Sequence, residues 1–139
     1  MASRCHSGKI AGVASILVID DQEPIRRIVR RALENERHAV LDASDGELGM
    51  QILERETVDV VITDIFMPGL DGIQTLREIR RRFPAVRVIA MSGGDSTGLL
   101  DLRKDAELLG AVKSLQKPFT AREIVDVVRA VLGGKDDWA

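Results

Sequence analysis

The sequence predicts an α/β chain: a doubly wound parallel sheet of five strands carrying five helices. Three observations support this. Short apolar runs of strand length alternate with longer segments whose apolar residues recur at helical spacing. The runs are rich in β-branched residues and nearly continuous in hydrophobicity, as strands covered by helices on both faces are. No linker, repeat or low-complexity stretch breaks the alternation, and 139 residues make one domain.

The elements follow in order. The first apolar run is Ser15–Ile19. A helix opens after it at Pro24, a residue suited to a first helical turn. Ile25, Ile28, Val29, Ala32 and Leu33 are expected on its inner face, with Arg26, Arg27, Arg30 and Arg31 elsewhere. The run Ala39–Leu41 comes next. Ser44-Asp45-Gly46-Glu47 then spells a capping box for a second helix, with Leu48, Ile52 and Leu53 inward. Val58–Thr63 is the third run. A third helix starts near Asp71 with Ile73, Leu76 and Ile79 inward. Val86–Met91 is the fourth run. A fourth helix carries Leu99, Leu102, Ala106 and Leu109 and is closed by Gly110. Ala111–Leu115 is the last strand. Thr120-Ala121-Arg122-Glu123 is a second capping box. Ile124, Val127, Val128, Val131 and Leu132 follow at helical spacing until Gly133-Gly134.

The ends are expected to be simple. The stretch Arg4 to Ile19 has basic residues before an apolar run, as the first two regions of a signal peptide do. The run is too short to span a bilayer and ends in Asp20-Asp21, so it reads as a strand. Residues 1–13 are expected to be a flexible leader, 14–133 the folded domain and 134–139 a tail.

Composition narrows the function. A net charge of −2 argues against bulk electrostatic attraction to nucleic acid. Tyrosine is absent and Trp138 is the sole tryptophan, which disfavours stacking platforms for single-stranded bases. Cys5 is the sole cysteine, so neither an intrachain disulfide nor a cysteine metal site is available. That usage fits a reducing, cytoplasmic setting. A metal, if bound, would be an oxygen-ligated ion such as Mg2+.

In a doubly wound sheet, ligands bind beyond the carboxyl ends of the strands. The first strand ends in Asp20-Asp21, the third in Asp64, the fourth near Ser92 and the fifth in Lys117-Pro118. Three carboxylates at one edge would repel one another unless a divalent cation and the lysine neutralise them. Such a site accepts a phosphoryl group, and a carboxylate can be its nucleophile. Ser92 could donate a hydrogen bond to a phosphoryl oxygen. Each residue also has a plainer reading. Asp20-Asp21 could cap the first helix, and Asp64 could open the turn at Pro68-Gly69. Lys117 and Ser92 could be ordinary loop residues. It is their conjunction at one sheet edge that favours a site.

The pieces "ILVIDDQEPIRRIV", "VDVVITDIFMPGLDG", "VIAMSGG" and "QKPFTAREI" together resemble the receiver domains of two-component response regulators, single-domain chemotaxis regulators among them. The resemblance covers about Ala14 to Leu132 and implies the flavodoxin-like receiver fold with strand order 2-1-3-4-5. It implies Asp64 as phosphoacceptor, Asp21 as direct Mg2+ ligand and Asp20 as a ligand acting through water. Phe66 would add its backbone carbonyl to the metal. Ser92 and Lys117 would hold the phosphoryl group, and the Lys117–Pro118 peptide would be cis. The donor would be a histidine kinase or phosphotransfer protein, and a downstream protein would read the switched surface. No direct nucleic-acid contact or membrane insertion is implied.

Two departures concern output. Ser114 stands where the family usually has Tyr or Phe, so an aromatic rotamer switch cannot operate in the usual way. The segment after Ser92 is glycine-rich and long, and signalling is expected to pass through it or the helix behind it. The short tail after Leu132 suggests a stand-alone receiver over one cut from a longer protein. The first-helix arginines are expected to be solvated or to meet the kinase.

Three rival readings are weaker. A flavodoxin-like cofactor binder needs a phosphate loop after the first strand, where Asp20-Asp21-Gln22-Glu23 would repel a phosphate. A phosphohydrolase would carry a second aspartate two positions after Asp64, where Phe66 stands. A receiver-like module that binds without phosphorylation would usually have lost one of the five site residues, and all five are present.

Overall fold

The computed structural model describes residues 13–65, 72–92 and 110–133. Five strands, β1 (Ser15–Ile19), β2 (Ala39–Ala43), β3 (Val60–Asp64), β4 (Arg87–Ser92) and β5 (Lys113–Gln116), form one sheet. All pairs are parallel, in the order β2-β1-β3-β4-β5. Four helices are described: α1 (Glu23–Glu34), α2 (Gly46–Arg55), α3 (Gly72–Arg82) and α4 (Ala121–Gly133). The helix expected around Leu99 to Leu109 lies outside the described residues. Gly110 itself has a φ of +122°, in the region that favours glycine.

Alternation along the strands divides the core in two. Leu17, Ile19, Val61, Val88 and Ala90 point to one face, under Met50 and Leu53 of α2 and Leu76 and Ile79 of α3. Ile16, Val18, Val60, Ile62, Ile89 and Met91 point to the other, under Val29 and Leu33 of α1 and Ile124, Val128 and Val131 of α4. Each face has its own apolar layer, so β3 is buried throughout and β1 from Ile16 onward, as their sequence requires. The chain leaves β1 for β2 and then returns past it to β3. That reversal opens the crevice where the ends of β1 and β3 lie side by side, with Ile19 paired to Thr63.

Local signals were mostly sound. In α4, Thr120 Oγ1 accepts from the Glu123 N–H at 3.1 Å, and Glu123 Oε1 accepts from the Thr120 N–H at 2.8 Å, a reciprocal capping box. The expected box on α2 is corrected. Asp45, one residue later than Ser44, caps the helix by accepting from the Leu48 N–H at 2.8 Å. The third helical residue is then Leu48, which has no side chain to reach back. Leu48 is also exposed, because Gly49, Met50 and Leu53 form the inward stripe and Leu48 falls off it. Ile28 is exposed likewise, on the flank of the stripe centred on Val29 and Leu33. Strand β2 runs on to Ala43 because each of its residues pairs with β1. Among the described residues, no helix is long and apolar enough to cross a membrane.

Candidate functional site

Asp20 follows the last residue of β1 and is fully buried. Burial of a carboxylate is costly unless its oxygens have partners. Asp20 Oδ1 accepts from the Gln22 N–H at 2.8 Å, and Oδ2 accepts from Lys117 Nζ at 2.8 Å. The Asp20 N–H donates to the Ala43 carbonyl at 3.1 Å. Its own carbonyl accepts from Arg26 Nη1 at 2.8 Å. This removes the reading of Asp20-Asp21 as a helix cap. Gln22 is the N-cap of α1, and its side chain makes no capping bond.

Asp64 ends β3 and is buried, with Lys117 Nζ 2.9 Å from its Oδ2. Asp21 is exposed at the mouth of the crevice. Asp20, Asp21 and Asp64 each offer a carboxylate oxygen within 4.8 Å of the others. Ser92 ends β4, buried, and its carbonyl accepts the Lys117 N–H at 2.8 Å. That bond sets the root of Lys117 against the end of β4 while its ammonium crosses to β1 and β3. The Lys117–Pro118 peptide is cis. Ser114 lies within β5, half-buried and paired with Ala90. Phe66 lies outside the described residues, as does the glycine-rich segment after Ser92.

The electrostatics follow from this geometry. Burial would lower the Lys117 ammonium, but its hydrogen bonds to Asp20 and Asp64 outweigh that and hold it above its ordinary value. The lysine therefore stays charged. One ammonium among three carboxylates leaves an excess of negative charge. Hard oxygen donors this close together fit a divalent cation of the magnesium kind. With both cations present the crevice can take an anionic phosphoryl group.

Sequence reasoning missed Arg26. Its group is expected to be solvated or to meet the kinase, yet its side chain is only 17% exposed and forms an ion pair with Asp42 at 3.1 Å. A signal was available: residue 26 lies three and seven positions before Val29 and Leu33, on the buried stripe of α1.

The fold and the crevice define a class: a doubly wound α/β protein with an acidic cluster and a lysine at the carboxyl edge of its sheet. The chain belongs to the response regulator receiver domain family, whose model matches residues 16–129. It is similar to sporulation initiation phosphotransferase F of Bacillus subtilis (strain 168), 33% identical over 117 residues, spanning 84% of this chain and 92% of that protein. It is also similar to response regulator protein FleR of Pseudomonas aeruginosa, 35% identical over 121 residues, spanning 86% of this chain and 25% of that protein. Among solved structures, a response regulator receiver domain protein from Clostridium thermocellum superposes with a TM-score of 0.78 at 37% identity, covering 88% of this chain and 96% of that one. The receiver domain of NtrX from Brucella abortus gives a TM-score of 0.78 at 31% identity, covering 84% and 97%. The chain is thus a receiver domain of two-component signalling.

Proposed function

We propose that Asp64 accepts a phosphoryl group, with Mg2+ bound by Asp20, Asp21, Asp64 and the Phe66 carbonyl. The observation that carries this reading is the lysine bridge: Lys117 Nζ lies 2.8 Å from Asp20 and 2.9 Å from Asp64, with Asp21 in the same cluster. An Asp64 oxygen attacks phosphorus and forms a P–O bond. The P–N bond of a phosphohistidine breaks, and the ring keeps the electron pair and takes up a proton from solvent. When bound, the cation supplies charge neutralisation on the phosphoryl oxygens. Lys117 and Ser92 hold two of those oxygens, so phosphorylation draws the ammonium off its carboxylates and changes the contacts at the sheet edge.

The protein is a phosphoacceptor that promotes only its own phosphorylation and dephosphorylation. A histidine kinase or phosphotransfer protein is the donor. The relatives named a phosphotransferase and, at 30% identity over 130 residues, sensor kinase CckA of Brucella abortus support that pairing. The folded unit is 14–133. Its setting is cytoplasmic, where such donors meet their acceptors. With Ser114 in place of an aromatic, output passes through the glycine-rich segment after Ser92 or the stretch that follows it.

Intact-mass measurement after incubation with Mg2+ and acetyl phosphate tests the chemistry. The wild type should gain one phosphoryl group and Asp64→Ala none. No gain in the wild type, with acetyl phosphate or with a phosphohistidine protein as donor, would leave the binding-only alternative.

A further inference from the structure

Arg26 is a charged group that reaches the acidic cluster and has no part in the chemistry above. We propose that Arg26 is a positioning residue for the metal centre: it sets the plane of the Asp20–Asp21 peptide, through it the Asp21 carboxylate, and is itself held by Asp42. The inference rests on the proposed magnesium site.

The geometry is specific. Arg26 lies on the first turns of α1, and its guanidinium reaches back over the loop that α1 follows. Nη1 donates to the Asp20 carbonyl at 2.8 Å, and Nε donates to Asp42 Oδ2 at 3.1 Å. Asp42 lies in β2, the sheet neighbour of β1, and is shared with Arg30 Nη1 at 3.4 Å. Arg30 is drawn the other way as well, to Glu34 at 2.9 Å. The planar guanidinium can serve two acceptors at once, which a lysine ammonium cannot do in the same fixed fork.

The consequence falls on Asp21. A peptide unit is planar, so the Asp20 carbonyl and the Asp21 nitrogen and Cα turn together. Asp20 itself is fixed by its own N–H and by both carboxylate oxygens. Asp21 has no such support: it is exposed, and among the described residues no hydrogen bond or ion pair holds its carboxylate. What directs that carboxylate toward Asp64 is the backbone it hangs from, and Arg26 holds that backbone. Supporting residues of this kind commonly alter metal affinity on the order of tenfold or more.

The test is magnesium binding itself, by calorimetric titration of the unphosphorylated protein. Arg26→Gln should raise the magnesium dissociation constant on the order of tenfold. Arg26→Lys should fall between Arg26→Gln and the wild type. Asp42→Asn, which keeps the guanidinium but removes the charge that holds it, should weaken binding in the same direction and serves if Arg26→Gln does not fold. Amide resonances of Asp21 and Gln22 should move in the metal-free variants. Magnesium affinity within twofold of wild type in Arg26→Gln, or in Asp42→Asn where Arg26→Gln does not fold, would overturn the proposal and leave Arg26 at most a stabilising residue. A wild type that binds magnesium but takes no phosphoryl group would remove the phosphoacceptor reading and leave this one standing. A wild type that binds no magnesium at millimolar concentration would overturn both.

Discussion

Lys117 shows how a single side chain reconciles two buried carboxylates with a folded core. Its ammonium is mostly buried and contacts Asp20 and Asp64 together. Removing one partner of a buried ionic group leaves charge without compensation, and that typically costs 3–5 kcal/mol or so. Lys117→Met should therefore lower the unfolding free energy in chelator by about 3–5 kcal/mol. Added magnesium should stabilise the variant more than the wild type, since no ammonium competes for the carboxylates. Urea titrations with and without the metal measure both effects. Equal stability of variant and wild type in chelator would mean that solvent already screens the pair.

Helix α2 owes its close seat on the sheet to Gly49. A Cβ built there would lie 2.4 Å from Ile19 Cδ1 and 2.9 Å from Ile19 Cγ1. Ile19 is fully buried beside Ala43 and Met50, so it has little room to give way. Alanine favours a helix over glycine by up to about 1 kcal/mol. Overpacking a dense core costs about 1–3 kcal/mol. The second effect should win, and Gly49→Ala should lose roughly 1 kcal/mol by chemical denaturation. Gly133, where an added Cβ meets nothing within 4 Å, is the control and should not lose stability as alanine. A clash with Ile19 bears on function too, because Ile19 directly precedes Asp20.

The two ends of the sheet do different work. The carboxyl edge carries the charged crevice, while the amino edge is tied down by polar contacts. There the Ala14 N–H donates to His38 Nδ1 at 3.0 Å, and the Ser15 N–H donates to Asp59 Oδ2 at 2.8 Å. Glu36 and Arg129, paired at 2.8 Å, join the turn before β2 to α4 and face the same histidine. Burial lowers the His38 pKa, Glu36 opposes that and Arg129 adds to it. Protonating Nδ1 would also set a donor against the Ala14 donor. A histidine whose folded-state value is depressed contributes stability that is present above its unfolded value, about 6.5, and lost as pH falls. The wild type should lose stability below that pH by at most ~1.4 kcal/mol per unit for this one proton. His38→Gln should show a shallower slope in urea unfolding between pH 7 and 5. Parallel slopes would assign the acid loss to other groups.

Much of this was legible along the chain. Periodicity and β-branched runs set the strands and helices, because both depend on residues a few positions apart. Turn and cap spelling placed the start of α4 for the same reason. The strand-end rule by itself brings Asp20, Asp21, Asp64, Ser92 and Lys117 to one edge. What the chain could not state was which charged side chains turn inward. Arg26 and Arg27 read alike as letters. One meets the Asp20 carbonyl just beyond β1 and a carboxylate of β2, whereas the other pairs with Glu23 in solvent. The exposed Ile28 and Leu48 are the converse, apolar residues left on the flanks of their helices. Those outcomes depend on how far each helix is rotated against the sheet, a sum over packing contacts between residues distant in sequence. The lysine bridge over 97 and 53 positions belongs to the same class. Local spacing could bring its members to one edge, and only the assembled sheet could set them within hydrogen-bonding distance.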